Sequence, residues 1–181
     1  MVAVPYPNPL MNLNCGRHGW KDWWVKHGEK MKFDNVAMDA HLGVWIYAPT
    51  KNGIYERLCD SVKFLNKRGY KPSYVEVGYP TTGFKPLIGL YGWGREKDQI
   101  NVLDSCYRAL TDTEVLYMQI CEFIDPSTQL YDFSLPSIGK KGQVPKFLGI
   151  IPVLEEKHWG LLKADGTEKK ACNWVKEITN K

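Results

Sequence analysis

The sequence lacks any apolar run that approaches the ~18 residues of a membrane-spanning helix. Its start also lacks the charged segment followed by an apolar stretch that is typical of a signal peptide. The net charge of +4 is small and the basic residues are scattered, whereas a nucleic-acid face needs clustered basic residues. We therefore expect neither a membrane nor a nucleic acid as a partner.

Cysteine and histidine pairs at metal-binding or redox spacing are absent as well. The cysteines are odd in number, and Cys59, Cys106 and Cys121 fall within apolar-periodic segments. Buried free thiols are the expected state of such residues. They favour a reducing, cytoplasmic compartment. We expect no metal ion and no other cofactor.

The length of 181 residues suits one domain but is short for a complete (β/α)8 barrel, which takes about 250 residues. No linker, low-complexity tract or internal sequence repeat divides the chain. Residues 1–181 are therefore predicted to form a single domain. Seven tryptophans and ten tyrosines stand out in the composition, and they suit either a packed core or the lining of a carbohydrate cleft.

Apolar periodicity predicts strands that alternate with amphipathic helices. The predicted strands span 33–39, 74–77 and 114–123, and the predicted helices span 20–30, 54–68, 95–110 and 168–179. Nearly continuous apolar strands joined by helices indicate an α/β fold with a parallel sheet. In such folds the functional side chains follow the carboxyl ends of the strands.

Each of these three predicted strands ends in an acidic residue, namely Asp39, Glu76 and Glu122. Glu76 is the most informative, because a glutamate inside an apolar strand needs either a partner or a chemical role. One such acid more often forms a structural ion pair than a catalytic site. Three of them, followed by loops rich in aromatic residues, favour glycoside hydrolysis, in which one carboxylate attacks the sugar and another protonates the leaving oxygen.

Four stretches, taken in order, resemble clan A glycoside hydrolases, the retaining (β/α)8 group. Residues 74–80 (Tyr-Val-Glu-Val-Gly-Tyr-Pro) resemble the strand that carries the nucleophile in that family, and residues 33–45 look like the preceding strand. Residues 121–125 are similar to the end of the last barrel strand, and residues 156–171 to the closing segment. The resemblance covers most of residues 20–176 and implies the C-terminal half of a barrel.

By this resemblance Glu76 is the nucleophile of a retaining enzyme that hydrolyses oligo- or polysaccharides. His41 takes the place of the aromatic residue expected on the preceding strand, and Glu122 would accept hydrogen bonds from sugar hydroxyls. The other implied substrate-binding residues are Asp39, Trp45, Tyr79 and Trp93. The acid/base of the family is a Glu that follows an Asn. No Asn-Glu pair occurs in this sequence, so the acid/base is expected upstream of Met1 or is lost.

Two further functions stay open. The missing acid/base and the presence of His41 also suit a non-catalytic carbohydrate-binding or structural module. An unrelated α/β enzyme could instead use Cys121 with His41 or His158, although a strand cysteine is usually a packed small hydrophobe. Because a half-barrel exposes strand edges, we expect the chain to self-associate or to close around an N-terminal segment. The resemblance favours secretion if the chain is part of a longer protein.

Overall fold

The computed structural model describes residues 2–4, 20–27, 30, 36–86, 89–125 and 158–180. Strands and helices alternate in these residues: β1 (Val2–Val4), α1 (Trp20–Lys26), β2 (Val36–Asp39), α2 (Lys51–Asn66), β3 (Pro72–Val77), α3 (Glu96–Asp112), β4 (Tyr117–Ile120) and α4 (Lys170–Thr179). The predicted α/β class is confirmed. The N-terminal part of the predicted strand 33–39 lies outside the described residues.

The four strands form one parallel sheet in the order β1-β2-β3-β4. Its register sets Asp39 of β2 beside Glu76 of β3, and Glu76 beside Gln119 of β4. Side chains alternate between the two faces of a strand. These three side chains therefore form a row on one face, which we call the site face.

The opposite face of the sheet forms the main core. Its strand residues Val36, Met38, Val75 and Val77 are all buried. They join one cluster with the buried residues of the two long helices, Ile54, Leu58, Val62, Leu65, Val102, Leu103 and Cys106. In addition, α2 packs against α3 and α3 packs against α4. Helices thus cover this face, and the carboxyl ends of the strands stay available for a site.

Helix α2 begins three residues before the predicted start at residue 54. Thr50 has an extended backbone, and its side-chain oxygen accepts a hydrogen bond from Gly53 N at 3.0 Å. This N-cap offsets the weak helix propensity of the polar and glycine residues that follow it. At the other end the helix stops at Asn66, and Gly69 follows with a φ of 81°. A glycine in that conformation is the stop signal that the sequence predicts.

Strand β4 is shorter than the predicted strand 114–123. Glu114 has a φ of 57°, and Val115 N donates a 3.0 Å hydrogen bond back to Leu110 O. Val115, which falls within the predicted strand, is therefore hydrogen-bonded to the last turn of α3 and is not part of β4. Residues alternate between exposed and half-buried along β4, so it is an open strand rather than one buried on both faces. None of the helices described is both long and apolar enough to span a membrane.

Candidate functional site

Glu76 lies at the carboxyl end of β3 on the site face, where its side chain is 29% exposed. Gln119 Nε2 donates a 3.2 Å hydrogen bond to Glu76 Oε2. The other carboxylate oxygen, Oε1, lies 3.7 Å from His41 Nε2. Gln119 on β4 therefore orients one oxygen of Glu76, and His41 in the loop after β2 orients the other. The side chain still has access to solvent.

His41 follows the end of β2 and points back at the acids. Its Nε2 lies 3.0 Å from Asp39 Oδ1. Burial is the largest single influence on the pKa of His41 and lowers it, but Asp39 and Glu76 together outweigh burial and raise that pKa to about 9. At neutral pH the ring is therefore an imidazolium between two carboxylates.

Trp159 packs against the ring of His41. The two rings meet edge to face, with centroids 4.6 Å apart. The same indole packs on Gly78, where an added Cβ would lie 2.5 Å from Trp159 Cε3. Only glycine leaves room for this packing directly after β3. Trp159 itself is 1% exposed, so this side chain belongs to the core.

A buried ion pair anchors the segment that carries Trp159. Lys169 Nζ lies 2.7 Å from Asp125 Oδ1 and donates a 3.0 Å hydrogen bond to His158 O. Asp125 Oδ1 also accepts a 2.7 Å hydrogen bond from Gly160 N. Burial lowers the pKa of Lys169, and the neighbouring Asp125 opposes that effect. The two charged side chains thus hold residues 158–160 in place.

Gln99 of α3 also holds this segment. Its Nε2 lies within hydrogen-bonding distance of three carbonyl oxygens, those of Tyr79, Trp159 and Gly160, at 3.0 to 3.2 Å. The side chain is 1% exposed. One buried amide therefore ties the loop after β3 to the segment that carries Trp159.

Glu122 follows β4 and is half-buried beside the site. Burial is the main cause that raises the pKa of its carboxyl group, and the negative charges of Asp125 and Glu76 add to the effect. The positive charge of Lys169 opposes it. Glu122 is thus an acid whose environment favours the protonated form more than water does.

The three aromatic residues that the resemblance implies for substrate binding occupy different environments. Trp93 is 57% exposed, and Lys85 Nζ lies 5.9 Å from the centroid of its ring. Trp45 is half-buried against the core. Tyr79 is completely buried, which leaves no ring face for a sugar and removes it from the binding surface that its sequence position predicts.

Tyr79 instead holds the loop that carries Trp93. Its hydroxyl donates a 2.6 Å hydrogen bond to Tyr91 O and accepts a 3.2 Å hydrogen bond from Gly94 N. Replacing Tyr79 with Phe is expected to lower the free energy of unfolding by about 1–3 kcal/mol, because both backbone groups lose a buried partner. Urea titration measures this loss. The matched control is Tyr107→Phe on the partly exposed surface of α3, and an equal loss in both variants would contradict the assignment.

Asp39, His41 and Glu76 each offer a ligand atom, and these atoms lie within 4.8 Å of one another. A divalent cation accepts this donor set. His41 is an imidazolium at neutral pH, however, so its Nε2 carries a proton and would have to lose it before it could bind a cation. The orientation of His41 also tests the hypothesis of an enzyme in which this histidine activates a cysteine thiol. Nε2 of His41 faces the acids, and Nδ1 has no hydrogen-bond partner among the residues described, so His41 does not activate a thiol there.

Sequence reasoning missed three residues of this site: Gln119, Trp159 and Gln99. A pairing register could have revealed Gln119, since it lies beside Glu76 on the next strand. Trp159 appears in the sequence only as part of a Trp-Gly-Leu stretch, and nothing local connects it with His41. Gln99 reads as one polar residue on an amphipathic helix, so only its burial identifies it.

No protein-family model matches the chain, and no curated protein matches it. Among solved structures, it is similar to a β-glucuronidase from an uncultured Clostridium sp., with 21% identity and a TM-score of 0.56 over 81% of this chain and 22% of that one. It is also similar to Bifidobacterium dentium β-glucuronidase complexed with coumarin-3-O-glucuronide. There the identity is 19% and the TM-score 0.57, over 81% of this chain and 20% of that one. The chain has a glycosidase-like fold and spans about a fifth of these neighbours.

Proposed function

We propose that this chain belongs to a retaining glycoside hydrolase of the clan A type and that Glu76 is its nucleophile. The observation that supports this most directly is the position of Glu76. It lies at the carboxyl end of a parallel strand, on the site face, with each oxygen oriented by a different neighbour. Active sites of (β/α)8 enzymes occupy this end of the strands. The likeness in fold to two β-glucuronidases supports the same proposal.

Each neighbour of Glu76 has a distinct role in this mechanism. His41 and Gln119 hold the carboxylate in one orientation, which favours in-line attack on the anomeric carbon. Asp39 keeps His41 protonated and in place. Glu122 and Asp39 accept hydrogen bonds from sugar hydroxyls, and Trp45 and Trp93 offer ring faces to the sugar. The bound molecule is an oligo- or polysaccharide.

A covalent label tests the nucleophile without help from an acid. A dinitrophenyl fluoroglycoside has a leaving group that departs without protonation, and its fluorine slows hydrolysis of the glycosyl-enzyme. We expect the glycosyl group to become attached to Glu76, detected by mass spectrometry of the peptide that contains this residue. The sugar panel should include the glucuronide, since the structural neighbours are β-glucuronidases.

The control for this experiment is Glu114→Gln, which changes an exposed carboxylate whose side chain is 85% accessible. This variant should be labelled like the original chain, whereas Glu76→Gln should take up no label. Labelling at Asp39 or Glu122, or equal labelling in the Glu76→Gln variant, would remove the nucleophile assignment.

A carbohydrate-binding module without catalysis is the second candidate. It is favoured by Trp93, whose ring is exposed on the loop between β3 and α3, where the ring of Phe84 is exposed as well. Titration calorimetry with oligosaccharides distinguishes the two functions. Binding that Trp93→Ala abolishes and Tyr107→Ala does not, with no labelling of Glu76, would support the binding module.

A further inference from the structure

Asp39, His41 and Glu76 bring their ligand atoms together in one small volume on the site face. The register of β2 and β3 sets Asp39 beside Glu76, and Ala40 N donates a 2.8 Å hydrogen bond to Glu76 O. The chain turns after β2, so that His41 Nε2 lies 3.0 Å from Asp39 Oδ1 and 3.7 Å from Glu76 Oε1. The backbone therefore holds the three groups together before any ligand binds.

The separations of these atoms are close to those between the ligands of a zinc ion. Zinc binds nitrogen and oxygen at about 2.0–2.2 Å in a tetrahedral arrangement, so its ligand atoms lie about 3.3–3.5 Å apart. The ligand atoms of Asp39, His41 and Glu76 all lie within 4.8 Å of one another. Side-chain movements on the order of 1 Å would complete the tetrahedral geometry. Asp39 Oδ1 is also a buried oxygen without a hydrogen-bond partner among the residues described, so it has a lone pair to offer.

The surroundings of the three groups favour a cation as well. Gln119 Nε2 holds Oε2 of Glu76 at 3.2 Å and leaves Oε1 for a ligand. Trp159 packs edge to face against the ring of His41 and fixes its plane. Neighbours that orient metal ligands in this way are a regular part of metal sites. The side chains of Asp39 and Glu76 are 47% and 29% exposed, which gives an ion access from solvent.

We propose that Asp39, His41 and Glu76 bind a zinc-type dication on the site face, with water from the solvent as the fourth ligand. The imidazole nitrogen selects a transition-metal ion over Mg²⁺ and Ca²⁺, which prefer oxygen ligands. The two carboxylates balance the charge of the ion. The ion takes the place of the proton on His41 Nε2, and this proton passes to the solvent. Three protein ligands with one open position are the arrangement of zinc sites that exchange a ligand with solvent.

A bound cation also takes Glu76 out of catalysis. A carboxylate that binds a metal ion shares its lone pairs and its charge with that ion, so it attacks an anomeric carbon poorly. The ion is therefore an inhibitor of glycoside hydrolysis rather than a cofactor of it. The inhibition rests on the proposed function, whereas the binding of the ion depends only on the three side chains.

Titration calorimetry with Zn²⁺ alone tests the site without any activity. The measurement uses the longest natural form of the protein that contains this chain, at about pH 8, where the proton on His41 is displaced more easily than at neutral pH. We expect His41→Gln to weaken binding by roughly 100-fold or more, because losing a group that only supports a metal ligand already costs about 10–100-fold. Asp39→Asn should weaken binding as well, and it exchanges a single atom on a partly exposed side chain.

The matched control is Glu114→Gln, which removes an exposed carboxylate outside the site and should leave the affinity for Zn²⁺ unchanged. Circular dichroism of each variant shows whether its fold is kept. Weaker binding in Asp39→Asn and His41→Gln with an unchanged spectrum supports the site. No binding of Zn²⁺ up to about 1 mM, or the same affinity in the original chain and in both site variants, would overturn the proposal.

Covalent labelling tests the inhibition. Zn²⁺ at a concentration that saturates the site should prevent the dinitrophenyl fluoroglycoside from labelling Glu76, and removal of the ion with the chelator EDTA should restore the labelling. Undiminished labelling of Glu76 in the presence of saturating Zn²⁺ would overturn the assignment of Glu76 as a ligand. An absence of labelling without any metal would instead count against the proposed function, and the calorimetry would still decide whether the ion binds.

Discussion

Replacing Lys169 with Met is expected to lower the free energy of unfolding by about 3–5 kcal/mol, which is the usual effect of removing one partner of a buried ion pair. The Lys169 side chain is 2% exposed and that of Asp125 is 7% exposed. The variant therefore leaves a carboxylate with little access to water and without its cation. His158 O loses a hydrogen-bond donor in the same change. Denaturant titration followed by tryptophan fluorescence measures the loss, and Trp159 reports on the segment concerned.

Two further variants separate the buried charge from a general loss of packing. Asp125→Asn added to Lys169→Met removes the unpaired charge but keeps an oxygen that accepts from Gly160 N, so most of the lost stability should return. Lys176→Met breaks the exposed pair with Glu168 and should lower the free energy of unfolding far less, because water screens this pair. Equal losses for Lys169→Met and Lys176→Met would show that the buried pair does not anchor this segment.

Replacing His41 with Gln is expected to remove a pH-dependent part of the stability. In the folded chain the pKa of His41 is about 9, compared with its ordinary value of 6.5. Because the folded value is the higher one, the stabilisation is fully present below about pH 6.5 and is lost as the pH rises through about 9. The difference of about 2.5 pKa units corresponds to roughly 3–4 kcal/mol at most.

The measurement is the free energy of unfolding of the original chain minus that of His41→Gln, taken from pH 6 to pH 10. Other titrating groups contribute equally to both chains and largely cancel in this difference. The difference should shrink as the pH rises through this window. A difference that stays constant with pH would mean that His41 is not charged between the two carboxylates.

The alternation of strands and helices could be predicted from local pattern, because buried faces impose their period on the sequence. The stripe Ile54, Leu58, Val62 and Leu65 predicts α2, and all four residues are buried. Element ends were predicted less well. Thr50 extends α2 through a cap that involves one side chain, and Val115 is hydrogen-bonded to the last turn of α3 although its apolar character suits a strand. These differences arise because hydrogen bonds at helix ends outweigh local hydrophobicity.

The strand β1 shows the same limit. Val2–Val4 are too few residues to show a period, and pairing with β2 alone makes them a strand. Tyr79 shows the same limit of local sequence pattern for a predicted site residue. Its position after a strand suggests an exposed ring, but its hydroxyl can satisfy Tyr91 O and Gly94 N only from inside the core. The burial of an aromatic residue depends on what packs over it, and residues distant in sequence decide that.

The sequence by itself determined that acids stand at the ends of strands, since an apolar run interrupted by Glu76 is visible without coordinates. It also determined that no Asn-Glu pair is present. Only the tertiary structure decided that Asp39, His41 and Gln119 converge on Glu76 and that Trp159 packs against His41. It also decided that Lys169 and Asp125 pair and hold the segment that carries Trp159. The physical reason is that local pattern records which face of an element is buried. Register and long-range contacts, in contrast, arise only when elements far apart in the chain pack together.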